Sequence, residues 1–276
     1  MNEHQGPRPV WESGALPTER FREIPADVLA VIEARTGPVL KAEPVSGGLN
    51  SEIAARVHTS TGTVFIKGLR QDHRRVWTQK READINPHVR DLAPALLWRA
   101  EDAGWDLIAF EDIQGRHADY APGSPHIPLV ADTMTRLSAV QAPDIALRDM
   151  PDRMKDHTDT PELFAGNTLL HTDWFPTNVL ITGGRAVLVD WAWASRGAPW
   201  IDPALWVVWL VKSGHTPAQA DQWAARVPAW RTAPAEGVNA FAAATVSVWE
   251  QITDGDPEPW TLDMLMAARR WAAHRG

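Results

Sequence analysis

The run His171-Thr172-Asp173-Trp174-Phe175-Pro176-Thr177-Asn178 is followed, twelve residues beyond Asn178, by Val189-Asp190-Trp191. Short β-prone segments flank it: Asn167 to Leu170 before, then Val179 to Thr182 and Ala186 to Val189, the last two joined by Gly183-Gly184 as a hairpin turn. This alternation of strand, loop, strand and hairpin is expected to place Asp173, Asn178 and Asp190 at one end of a small sheet. Asp and Asn are also common turn formers and strand ends. Two acids and an amide in this order nevertheless suit phosphoryl transfer, which needs an acceptor for the attacking oxygen's proton and oxygen ligands that hold Mg²⁺ against phosphates. Asp173 is expected to accept that proton. Asn178 and Asp190 offer a neutral and an anionic oxygen to a hard divalent cation. His171 is expected to brace the loop by hydrogen bonding rather than to act as a base.

Working outward toward the amino terminus, Pro25 to Arg35 reads as a helix opened by Pro25 and stopped by Gly37-Pro38. Val39 to Val45, Glu52 to Thr59 and Thr63 to Leu69 read as three antiparallel strands, separated by Ser46-Gly47-Gly48-Leu49-Asn50 and by Ser60-Thr61-Gly62. A polar helix from Arg74 to Leu92 should kink or break at Pro87, and Ala95 to Arg99 and Asp106 to Phe110 complete a five-stranded sheet. Lys67 near the end of the third strand can reach α- and β-phosphates, and Glu82, fifteen residues on, can pair with it. Taken singly, each is an ordinary surface charge. The Gly47-Gly48 turn, with Ser46 and Asn50, can lay backbone N–H groups over phosphates. It matches neither a P-loop nor a G-x-G-x-x-G pattern.

Toward the carboxy terminus, Leu129 to Val140 is helical by spacing, Pro143 to Pro161 is charged and weakly patterned, and the chain from Pro203 onward reads as helices. The fold class expected is α+β, a β-rich amino-terminal lobe over 1–112 and a mainly helical carboxy-terminal lobe over 113–276.

Composition narrows the partners. A net charge of −8 with no basic run gives no footprint for nucleic acid. The absence of cysteine excludes disulfides and thiol chemistry and fits a reducing, cytoplasmic compartment. Met1 to Val10 lacks the pattern of a signal peptide, and the longest apolar stretch, Trp200 to Val211, is too short to span a bilayer, so no membrane is expected. Fifteen tryptophans stand against one tyrosine, most of them between Trp174 and Trp271. Most are expected in the core, with a minority walling an acceptor pocket.

From about Val39 to about Leu210 the chain resembles the aminoglycoside phosphotransferase family of the protein-kinase-like superfamily. The resemblance rests on Gly47-Gly48, Lys67, Glu82, Glu111-Asp112, His171-x-Asp173-x₄-Asn178, Asp190-Trp191 and Gly197-x₄-Asp202-Pro203. It implies a bilobal kinase-like fold and transfer of the γ-phosphoryl of ATP or GTP, with Mg²⁺, to a hydroxyl. It also implies that Phe110, Glu111, Asp112 and Ile113 form a hinge whose backbone holds the purine, that Asp119 approaches the ribose, and that Asp202 is a structural acid near the catalytic loop. Only eleven residues separate Asp190 from Asp202 and no Ala-Pro-Glu follows. A protein substrate is therefore not expected, and the acceptor should be a small molecule: an antibiotic, or an endogenous alcohol or amino alcohol. A non-catalytic nucleotide-binding regulator is the remaining alternative. A monomer or homodimer is expected.

Overall fold

The computed structural model describes residues 24–45 and 51–276. Ser46, Gly47, Gly48 and Asn50 lie outside the described residues, as does the Met1 to Val10 segment. The rest of the chain falls into two compact units.

One unit takes in the described residues up to Arg116 together with Val187–Ala192. It opens with helix α1 (Ala26–Thr36), then strands β1 (Val39–Pro44), β2 (Ile53–Thr59) and β3 (Gly62–Arg70). Helix α2 (Trp77–Ile85) follows, ending in a tight turn of helix at Asn86–His88 where Pro87 withholds its N–H. Strands β4 (Leu96–Asp102) and β5 (Trp105–Glu111) complete an antiparallel sheet in the order β1-β2-β3-β5-β4. The five-stranded sheet is the one expected, and burial alternates along β2: Ile53, Ala55 and Val57 point inward while the residues between them are only half-buried. Those inward residues, with Ile66, Leu107 and Ala109, form a core closed by Val28, Val31 and Ile32 of α1. The return of 187–192 to this unit is marked by the Leu188 N–H donating to the Leu92 carbonyl at 2.7 Å.

The other unit comprises His117–Ala186 and Trp193–Gly276 among its described residues. After the two-residue strand β6 (Arg116–His117) come α3 (His126–Leu137), β7 (Arg148–Asp149) and α4 (Met150–Met154). Next are β8 (Thr168–Leu170), β9 (Val179–Thr182), β10 (Arg185–Leu188) and β11 (Ser195–Gly197). The helices α5 (Ile201–Lys212), α6 (Pro217–Ala224), α7 (Pro228–Arg231), α8 (Ala235–Gly255) and α9 (Pro259–Arg275) finish the chain. Every residue of α5 from Ile201 to Val211 is buried, and all of them but Asp202 are apolar, so this helix belongs to the core of the helical part. Trp174, Trp206 and Trp271 are among the largest fully buried side chains, as expected for most tryptophans.

Two expectations change. The single small sheet around the octapeptide is two sheets: β9 and β10 join β6, whereas β8 joins β11 and β7. The cause is β11, a three-residue strand whose Ser195, Arg196 and Gly197 pair antiparallel with Leu170, Leu169 and Thr168 and so take β8 away from β9. The weakly patterned Pro143 to Pro161 stretch contains β7 and α4, because Ser195 and Arg196 also pair in parallel with Arg148 and Asp149.

Candidate active site

In the sheet-bearing unit, β3 delivers Lys67 and α2 delivers Glu82, and the two side chains meet. The Lys67 Nζ donates to Glu82 Oε1 at 2.9 Å and to Oε2 at 3.0 Å. Asp190, just beyond β10 in the segment that returns to this unit, brings Oδ1 to 3.5 Å from the same ammonium. Asp190 holds a left-handed backbone at φ 63, which a short polar residue tolerates better than a bulky one. All three side chains are at most 12% exposed. Burial works against the Lys67 ammonium, but the charges of Asp190 and Glu82 outweigh it and hold its pKa above the ordinary lysine value. Burial pushes the Glu82 carboxyl up to about 7, against the pull of Lys67 and with the help of Asp190. With Glu82 ionised, one ammonium between two carboxylates leaves surplus negative charge in a dry setting. That arrangement fits a divalent cation, as does a pair of oxygen ligands completed by phosphates and water. Among the described residues no group of three or more His, Asp or Glu side chains could hold a metal unaided.

At the end of β5, the Glu111 N–H donates to the Ala95 carbonyl at 2.9 Å, and Phe110 pairs across the sheet with Phe65 and Leu96. Ile113 lies beyond the strand, half-buried. The Asp112 carboxylate is occupied: Arg56 Nε donates to its Oδ1 at 2.9 Å, and the Gln114 amide reaches its other oxygen. Arg56 was not singled out by the sequence reading. Its only sequence signal is its outward position in the alternation of β2.

In the helical unit, the loop after β8 carries His171, Thr172 and Asp173. The Asp173 N–H donates to His171 Nδ1 at 3.2 Å, so the imidazole braces the loop as its spacing suggests. Asn178 Nδ2 donates to the Asp173 carbonyl at 3.4 Å, and the Phe175 N–H donates to Asp173 Oδ1 at 3.4 Å. Asp173 and Asn178 are therefore neighbours on one tight turn, both half-buried. Asp202, at the start of α5, accepts the N–H of His171 on Oδ2 and of Thr172 on Oδ1, each at 2.9 Å. Burial raises the Asp202 carboxyl above its ordinary value, while those two N–H donors pull it back. Asp119 spends a side-chain oxygen on the Ala121 N–H at 2.9 Å, which shapes its own loop.

Thr172 itself stands at φ 65. For a β-branched residue this is an outlying conformation, with a cost of about 1–3 kcal/mol that the surroundings must offset. A buried arginine absent from the sequence reading, Arg153 of α4, contacts this residue from beneath.

A family model described as the phosphotransferase enzyme family matches residues 161–235, a span that includes His171, Asp173, Asn178, Asp190 and Asp202. Over that span the chain is similar to that family. No curated protein sequence is significantly similar to it. Among solved structures, it is similar to the choline kinase LicA of Streptococcus pneumoniae at 14% identity and TM-score 0.63, covering 89% of this chain and 98% of that one. It is similar to an aminoglycoside phosphotransferase of Alicyclobacillus acidocaldarius at 14% identity and TM-score 0.67, covering 92% and 94%. It is also similar to the aminoglycoside phosphotransferase APH(4)-Ia at 16% identity and TM-score 0.62, covering 90% and 97%. These neighbours show that the chain shares their α+β fold over nearly its whole length.

Proposed function

We propose that the chain transfers the γ-phosphoryl group of ATP or GTP to a hydroxyl of a small molecule, an antibiotic in the first instance. The observation that carries the reading is the Lys67 ammonium held between Glu82 and Asp190, an arrangement suited to polyphosphate and its counter-ion. The Lys67 ammonium binds the α- and β-phosphates, and Glu82 aims it. Backbone groups of Phe110 to Ile113 hold the purine. Asp173 accepts the proton of the acceptor hydroxyl as its oxygen forms a bond to the γ-phosphorus, while the bond from that phosphorus to the bridging oxygen breaks and the nucleoside diphosphate leaves. Asn178 and Asp190 would hold Mg²⁺, which would neutralise charge on the phosphates.

Neighbouring structures support the nucleotide: the choline kinase has been solved with AMP, and an APH(4)-Ia mutant with AMP-PNP and hygromycin B. The choline kinase also favours a second reading, in which the acceptor is an endogenous alcohol or amino alcohol. The two readings share every chemical step and part only at the acceptor. The test is nucleotide consumption, with ATP and with GTP, across a panel of antibiotics and amino alcohols, with Asp190→Ala as control. The acceptor that accelerates consumption in the wild type alone decides between them. Equal consumption by wild type and Asp190→Ala would remove Asp190 from the chemistry.

A further inference from the structure

Arg153 lies in the stretch with the weakest sequence pattern, yet it is only 3% exposed. Its Nη1 donates to Thr172 Oγ1 at 3.1 Å, to the Trp193 carbonyl at 3.0 Å and to the Ser195 hydroxyl. Thr172 Oγ1 donates to that same Trp193 carbonyl at 2.8 Å, and Ser195 Oγ does so at 3.0 Å. The local topology creates this convergence. Strand β11 lies between β7, which runs straight into α4 and Arg153, and β8, which runs straight into His171 and Thr172.

Two demands meet at Thr172. Its side chain is branched at Cβ, and its backbone is left-handed, a combination that must be imposed from outside. Asp202 holds the Thr172 N–H from one side, and Arg153 holds the hydroxyl from the other. Asp202 is 2% exposed and Arg153 3% exposed, and the Arg153 charge adds a minor share to keeping the Asp202 carboxylate ionised. The residue after Thr172 is Asp173, and the direction in which its carboxylate leaves the chain follows from the backbone turn at Thr172.

We propose that Arg153 is a positioning residue: by bonding the Thr172 hydroxyl it holds the left-handed turn that aims the Asp173 carboxylate at the acceptor hydroxyl. The proposal rests on the phosphotransferase reading of Asp173. Arg153 itself touches neither nucleotide nor acceptor.

The experiment uses the full chain with MgATP as the only added ligand, reading acceptor-independent ATP hydrolysis and the hydrogen exchange of the 171–175 amides. Arg153→Lys keeps a buried cation but not the guanidinium's reach. It is expected to lower hydrolysis about tenfold with the KM for MgATP unchanged, and to speed exchange at 171–175 while the α5 amides stay protected. In a Thr172→Gly background, where glycine adopts the turn freely, the same change should cost less than about threefold. Ser195→Ala, which removes two hydrogen bonds, one of them to Arg153, and no charge, should reproduce the pattern more weakly and serves if Arg153→Lys does not fold. Wild-type hydrolysis and exchange in both variants would overturn the proposal, as would an equal loss with and without the Thr172→Gly change. A wild type with no hydrolysis counts against the phosphotransferase reading, and the exchange measurement then decides the role of Arg153 by itself.

Discussion

Single side chains in this protein are set by what surrounds them more than by what they are. Glu82 is an ordinary surface residue by type, yet burial beside Asp190 lifts its pKa to about 7 from 4.5. The folded chain therefore binds that proton more tightly than the unfolded chain does. The resulting stabilisation is complete below about pH 4.5 and is lost as the pH rises through about 7. Urea melts at about pH 5 and about pH 8 should show the wild type losing stability relative to Glu82→Gln between them, and a pH-independent difference would reject the assignment. Asp173 makes the second residue-scale prediction. Asp173→Asn keeps the shape and removes the base, so turnover should fall by about 10²-fold or more with nucleotide affinity preserved. Steady-state kinetics alongside nucleotide titration would check both halves, and unchanged turnover would dismiss Asp173 as the base.

At the scale of elements, the small sheet β7-β11-β8 organises the loop that carries Asp173. It depends on close approach at Gly197, where an added Cβ would stand 2.6 Å from Met150 Cγ and 2.8 Å from Leu170 Cδ1. Gly197→Ala should then cost about 1–3 kcal/mol by overpacking. Denaturant melts measure this, and a neutral effect would mean that α4 and β8 give way more readily than their packing implies. The long elements were legible from pattern. Strand β2, the Pro87 break after α2 and the Gly183-Gly184 hairpin all appear where the sequence puts them. The two- and three-residue strands β7 and β11 were not. A stretch such as Ser195-Arg196-Gly197 is too short to show a period, and only its partners make it a strand.

For the molecule as a whole, no helix among the described residues is long and apolar enough to cross a membrane, and nucleotide binding couples to folding by mass action. If the nucleotide binds only the folded chain, ligand at a hundred times its Kd adds about 2.7 kcal/mol of stability. The melting temperature should rise with a non-hydrolysable ATP analogue and Mg²⁺, and chelation by EDTA should remove most of that rise. A shift indifferent to EDTA would exclude a metal-bridged nucleotide.

The sequence by itself determined the order of the long elements and which residues are candidates for the chemistry. Hydrophobic periodicity is written locally, and His171-x-Asp173-x₄-Asn178 with Asp190 is a local spacing. The pairing of Lys67 with Glu82 also followed from spacing, since a strand and the helix after it can bring only a few positions together. Tertiary structure alone decided that Asp190 joins that pair and that Arg56 occupies Asp112. It also decided that Arg153 lies beneath Thr172. Each of these contacts joins residues far apart in the chain, and their strength comes from burial, which excludes water only after the whole chain has packed.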